Sequence, residues 1–416
     1  MVDRWAKNGV RLAWLLLLCV PAPAGADTWP ERMVQARAAW QAAAPDADRA
    51  ALRRQLLGEM ERRHPVQWDW SLQALGADLG GWLDARADAG MERRMVEGVL
   101  AEAPDAALRA ELDALRSAPA GDRRWLDLFV KACERRRAGR LRPLLAKWRS
   151  FVFARHYNLG GSHYAYTEGQ SDAQAERTFV PGAALCILEM EGLYGKTRTL
   201  LEDPKGVIRN PDVSHDGRRI LFSWKKSDRE DDYHLYEMDV ASGGVRRITE
   251  GLGFADYEGV YLPNGDLLFS STRCVQTVDC WWTEVSNLYT CDGNGRFLRR
   301  LGFDQVHTNF PTVLPDGRVV YTRWDYNDRG QIYPQPLFQV FPDGTGQTEY
   351  YGNNSWFPTT ILHARGIPGS GKLVAVATGH HSFQAGKLIL IDPNRGRQEN
   401  AGVSAARPFV TMPLIH

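Results

Sequence analysis

Hydrophobic and polar positions alternate with a period of two through most of the chain beyond residue 150, most clearly from Pro311 to Asp325. A short apolar segment there leads into Asp316-Gly317, a dipeptide suited to the positive φ of a tight hairpin. Beyond it, Arg318 and Val320 fall on one face and Val319 and Tyr321 on the other, as in a strand. The unit recurs around Asp216-Gly217 and Asn264-Gly265, and more loosely from Pro358 to Thr378 with Gly371 at the turn. Each copy is followed by a further strand pair, and the residues that lead it, Leu185, Leu235, Leu288, Leu337 and Leu388, recur every 49 to 53 positions. A period of about fifty with four strands per unit is the signature of β-propeller blades.

The pattern before residue 150 is different. Met33 to Ala44, Asp48 to Arg63 and Met91 to Leu100 carry apolar residues at helical spacing, with Pro45, Pro65, Pro104 and Pro119 as breaks. This predicts a bundle of about five short helices over residues 27–150. Residues 1–26 read as a secretory signal: Arg4, Lys7 and Arg11 precede the apolar run Leu12 to Val20, and Ala24-Gly25-Ala26 offers a cleavage site. The expected fold is mainly β, a β-propeller of about five to six four-stranded blades over 151–416, preceded by a small α-helical domain. Five units can be counted: 151–202, 203–250, 251–302, 303–352 and 353–400. Two readings of the remainder stay open. Either the tail 401–416 and the segment around Phe151 complete an abbreviated sixth blade, or the propeller is truncated at its C-terminus relative to a longer natural product.

Charge changes the picture little. Fifty-one basic residues balance 50 acidic ones, so the Arg-rich tracts near Arg135 and Arg140 read as solvated helix faces and nucleic acid is not an expected partner. No run after the signal is apolar for long enough to span a membrane, and the expected compartment is the periplasm or the exterior. The stretch Gly366 to Lys372 imitates a phosphate-binding loop, but Leu373 stands where a Ser or Thr is required and a strand follows. No Gly-x-Ser-x-Gly is present, so a peptidase-type hydrolase has no visible nucleophile.

Propeller topology gathers the unusual residues. One hairpin separates the start of the innermost strand from the end of the second, so both lie at one rim of the channel. That rim collects Asn210, Asp212, Tyr257, Glu258, His307, Asn309 and Trp356 from strand starts. From strand ends it collects Arg273, Cys274, Arg323, Asp325, His380 and His381. Thiolate, imidazole and carboxylate are ligands of zinc or a related transition metal. The candidate metal ligands are Cys274, His307, His380, His381 and Glu258, with Asp325 as an alternative fourth ligand or base. Arg273, Arg323, Asn309 and Asp325 are candidates for holding a ligand or anion, the two arginines in bidentate fashion. Hydrogen bonding of rim loops across blades is the competing role for the same residues. The predicted mature chain keeps Cys133, Cys186, Cys274, Cys280 and Cys291, an odd number, and Cys280 could pair with Cys291 or with Cys274.

Several strings carry a family resemblance: Tyr157 to Glu168, Asn210 to Ser214, Asp232 to Asp239, Phe269 to Cys274, His307 to Thr312, Tyr321 to Trp324, Glu349 to Gly352 and Gly379 to His381. Over about 150–400 the sequence resembles bacterial proteins related to the hydrazine synthase alpha subunit, and more broadly TolB-like (WD40-like) propellers. The resemblance implies the propeller and a place in a periplasmic redox assembly, beside a partner subunit. Haem c attachment in synthase-type members uses Cys-x-x-Cys-His, which this sequence lacks. The functional expectation is a propeller that binds a metal or small ligand at one rim, with a docking scaffold as the alternative.

Overall fold

The computed structural model describes residues 28–44, 48–157, 179–277, 284–325, 334–353, 355, 357–379 and 386–405. Six α-helices come first: α1 (Trp29–Ala42), α2 (Arg49–Arg63), α3 (Pro65–Leu75), α4 (Gly90–Glu102), α5 (Ala106–Ala114) and α6 (Arg123–Leu145). Helix α1 starts on a capping box, in which Thr28 and Glu31 each satisfy the other's backbone N–H. The helices close on a core that includes Trp29, Trp82, Trp125 and Phe129. Within it Glu92, 1% exposed, is held by Arg86 and by the Gly121 N–H. The described helices number six rather than about five because the chain breaks once more than its prolines indicate, between α3 and α4, where Gly76 ends α3 at a φ of 56°.

Among the described residues, nineteen strands follow in five antiparallel sheets. In the first, β1 (Ser150–Arg155), β2 (Ala183–Glu191) and β3 (Tyr194–Asp203) lie in that order. The second holds β4 (Val207–Val213), β5 (Arg219–Lys225), β6 (His234–Asp239) and β7 (Val245–Arg247). The third holds β8 (Asp256–Tyr261), β9 (Leu267–Ser271), β10 (Asn287–Cys291) and β11 (Arg299–Arg300). The fourth runs β12 (Thr308–Val313), β13 (Val319–Arg323), β14 (Leu337–Val340) and β15 (Thr348–Tyr351). The fifth runs β16 (Thr360–Gly366), β17 (Leu373–Thr378), β18 (Lys387–Ile391) and β19 (Val403–Ala405). Four blades are therefore four-stranded meanders and one has three strands among the described residues. The inner strands β4, β8, β12 and β16 pack successively against one another, which makes them the channel wall.

The hairpins explain the recurring Asp-Gly and Asn-Gly signal. Gly217, Gly265 and Gly317 occupy the same turn position at φ between 72° and 90°, where a Cβ would be strained. Asp216 and Asp316 accept the backbone N–H two residues on. Apolar residues of successive sheets then interlock, as Leu221, Leu235, Tyr261 and Phe269 do between the second and third blades. Helix α6 lies against the first blade, with Leu141 and Leu145 on Leu188 and Met190, and the Tyr194 hydroxyl donates to Glu134 at 2.8 Å.

Residues 1–26 lie outside the described residues, as do Cys280, Trp356, His380 and His381. No described helix is long and apolar enough to cross a membrane. Cys133, Cys186, Cys274 and Cys291 are free thiols, and both pairings considered from the sequence involve Cys280, which lies outside the described residues.

Candidate functional site

Strand register sets the two ends of each inner hairpin side by side. Val207 pairs with Lys225, Asp256 with Ser271, Thr308 with Arg323 and Thr360 with Thr378, so the start of each inner strand faces the end of its neighbour.

Each of these inner strands also carries a β-bulge in the same place. The register slips between Arg209 and Asp212, Tyr257 and Val260, Asn309 and Thr312, and Leu362 and Arg365. One residue in each slip has a left-handed backbone: Asn210 at φ 48°, Glu258 at 56°, Phe310 at 56° and His363 at 53°. Asn tolerates this region, whereas the other three side chains are strained there by about 1–2 kcal/mol each. A bulge re-aims the extra residue out of the pleat. Here it joins neighbouring blades around the channel wall. The Phe310 N–H donates to Glu258 Oε2 at 2.6 Å, and the Phe310 and His363 rings lie 4.2 Å apart.

Glu258 is the chemical centre of this arc. It is 4% exposed, and its Oε2 also accepts the Ser270 hydroxyl at 3.1 Å. Its Oε1 is buried with no hydrogen-bond partner among the described residues. Burial pushes the carboxyl up to about 6, against the opposing pull of the Phe310 N–H, the Arg209 guanidinium, the Ser270 hydroxyl and Arg365. The side-chain oxygen of Asn210, at the same bulge position one blade earlier, is likewise buried with no hydrogen-bond partner among the described residues. Arg209 is 1% exposed and lies 5.5 Å over the Tyr233 ring. Arg365 is open to solvent, yet surrounding protein lowers its pKa against the favourable charges of Asp212 and Glu258.

The other predicted residues divide into two groups. His307, Asn309 and Cys274 join Glu258 through the segment Val285-Ser286. The Ser286 hydroxyl donates to the Thr308 carbonyl, which lies 3.3 Å from the Ser270 oxygen, and the Asn309 amide donates to the Ser286 hydroxyl at 3.3 Å. The Ser286 N–H donates to His307 Nδ1 at 3.1 Å. The Cys274 thiol donates to the Val285 carbonyl at 2.9 Å, and burial raises its pKa. Burial pushes His307 down to about 3, so its imidazole is neutral, and its ring stacks on Trp324 at 5.8 Å.

Arg273 and Arg323 stand apart from this network and from each other. Arg273 forks onto Asp256 at 2.7 and 2.9 Å and lies 3.8 Å over Phe254. Arg323 pairs with Asp304 at 3.2 Å and with Asp325 at 3.3 Å. Their charges are thus directed to carboxylates of the protein rather than jointly to one anion. Among the described residues no three His, Cys, Asp or Glu side chains form a metal-holding group.

Sequence reasoning missed Arg209, Arg365, Ser270, Ser286, Phe310 and His363. A usable signal was present in Pro211 and Pro311, which sit 100 residues apart at one place in the inner strand. Proline inside a strand marks a bulge or an open edge.

No family model matches the sequence, and no curated protein matches it. Among solved structures, hydrazine synthase from Kuenenia stuttgartiensis is similar over 62% of this chain and 39% of that chain, with 13% identity and a TM-score of 0.48. TolB from Acinetobacter baumannii is similar over 54% and 49%, with 19% identity and a TM-score of 0.40. This chain therefore spans about two fifths of the hydrazine synthase chain and half of the TolB chain. Both likenesses are of fold, and the propeller itself stands on the strand pairing described above.

Proposed function

We propose that this protein binds a small polar molecule in the channel of its propeller, at the bulge arc around Glu258. One observation carries the reading: a buried carboxyl has one oxygen fixed by the Phe310 N–H and the Ser270 hydroxyl and the other without a partner among the described residues. A buried acceptor left unpaired costs about 1–3 kcal/mol, and a ligand N–H or O–H supplies what it lacks. Asn210 offers a second acceptor, and Arg365 offers a charge for an acidic or carbonyl group on the same molecule. The leader-like pattern of residues 1–26 supports export to the periplasm, and the sequence resemblance supports work beside a redox partner.

Metal binding is the second reading. It is favoured by the convergence of Cys274 and His307 on Val285-Ser286, and it would draw its remaining ligands from Glu258, His380 or His381. The two are separated by a thermal-shift screen of amines, amides, polyols and amino acids at pH 7.5, with E258Q as control and elemental analysis of the purified protein. Ligands that raise the melting temperature of the wild type and not of E258Q support the channel site. Stoichiometric zinc that is lost in C274A would replace it with the metal reading.

A further inference from the structure

Two sets of equivalent positions follow one another along the inner strands. The first is the bulge residues Asn210, Glu258, Phe310 and His363. The second is where each ladder resumes, with Asp212 opposite Leu221, Val260 opposite Leu268, Thr312 opposite Val320 and Arg365 opposite Val374. Charge is distributed unevenly over them. Strand β4 brings Asn210 and Asp212, and β8 brings Glu258, whereas β16 brings Arg365. Arg209 of β4 is also cationic, but it is 1% exposed and lies over the Tyr233 ring.

Arg365 differs from the other arginines of the inner blades in how its charge is used. Arg273 and Arg323 each rest on a carboxylate. Among the described residues Arg365 donates instead to the Ala364 carbonyl at 2.9 Å. Its charge nevertheless pulls on the carboxyls of Asp212 and Glu258, and theirs on it. Along the wall β8 stands between β4 and β12, and β12 between β8 and β16, so this attraction crosses the channel. Unlike charges that attract without touching leave a space between them, and a molecule that fills it gains most by carrying the complementary pair.

We propose that the ligand of the channel site, on which this inference rests, is a small zwitterion with the chemistry of a free amino acid, its primary ammonium on Glu258 and Asn210 and its carboxylate on Arg365. The acidic side sets the first requirement. Glu258 Oε1 and Asn210 Oδ1 are buried acceptors with no partner among the described residues, so the cation must bring N–H donors. A primary ammonium has three, and a quaternary one has none. Asp212, whose Oδ2 accepts the Tyr261 N–H at 2.9 Å, adds negative field on the same side. The second requirement comes from Arg365, whose planar guanidinium matches a carboxylate in bidentate fashion. An amine alone leaves Arg365 unanswered, and a carboxylate alone leaves Glu258 so.

The test is a thermal-shift survey of the full chain at neutral pH, followed by calorimetry of whatever binds. The probes are the common L-amino acids, γ-aminobutyrate and ε-aminocaproate, set against ethylamine, acetate and glycine betaine. At least one amino acid should bind the wild type more tightly than any of the three controls, and E258Q should lose it. R365Q should weaken that amino acid at least about tenfold while leaving the response to ethylamine unchanged, and R365K should recover part of the loss. Ethylamine, acetate or betaine binding as tightly as the best amino acid, in a manner that still requires Glu258, would overturn the zwitterion and leave the channel site standing. An amino-acid affinity unchanged in R365Q would overturn it as well. No ligand that depends on Glu258 would remove both the zwitterion and the channel site. The comparison among ligands is made on the wild type, so the outcome does not depend on how R365Q folds.

Discussion

Replacing Glu258 by Gln isolates the electrostatic cost of the channel carboxyl. The folded protein holds this carboxyl at about 6, above its ordinary 4.5. It therefore binds its proton more tightly than the unfolded chain does, and stability falls as pH rises from 4.5 through 6, then levels. At 1.36 kcal/mol per pH unit, the ionised carboxylate costs about 2 kcal/mol above pH 6. Gln keeps an oxygen for the Phe310 N–H and the Ser270 hydroxyl and places its NH2 where Oε1 has no partner, so the exchange forfeits no hydrogen bond. E258Q should match the wild type below pH 4.5 and exceed it by about 2 kcal/mol at pH 7.5. For a unit the size of the propeller that corresponds to a melting temperature about 4–8 °C higher. Urea unfolding of both proteins across pH 4–8 measures the difference directly. A difference that does not vary with pH, or an E258Q protein less stable at pH 7.5, would refute the reasoning.

Two further outcomes are expected. His307 is held neutral by burial at a pKa of about 3, so its contribution is lost as pH falls below 6.5, by about 2 kcal/mol at pH 5; nitrogen NMR should find the imidazole neutral at pH 5, and a midpoint near 6.5 would contradict its enclosure. Arg273→Ala leaves Asp256, 0% exposed, without its fork and should destabilise by about 3–5 kcal/mol in urea unfolding, whereas a loss under 1 kcal/mol would show that Asp256 is not held by it.

The blades were legible because they repeat: the alternation around Asp316-Gly317 and the spacing of the leucine series are one-dimensional signals of one structural unit. That each inner strand starts beside the end of the second strand was legible too, since it follows from antiparallel connection alone. Which rim residues meet was not. Arg273 and Arg323 looked like a pair because their blades are neighbours, yet each has a carboxylate of its own, Asp256 and Asp304, supplied by residues the strand pattern treats as framework. The bulge arc escaped notice because a bulge shifts one residue out of the alternation from which faces are read. Glu258 was read as a rim ligand, and only the slip between Tyr257 and Val260 shows how it is turned toward the Phe310 amide.

The most direct measurement is the titration of the Glu258 carboxyl itself, by infrared difference spectroscopy of the wild type against E258Q between pH 4 and 8. A protonated carboxyl band present only in the wild type and fading with a midpoint near 6 is the predicted result. A midpoint at or below 4.5 would mean that the carboxyl is freely solvated, and the channel site as described would not exist.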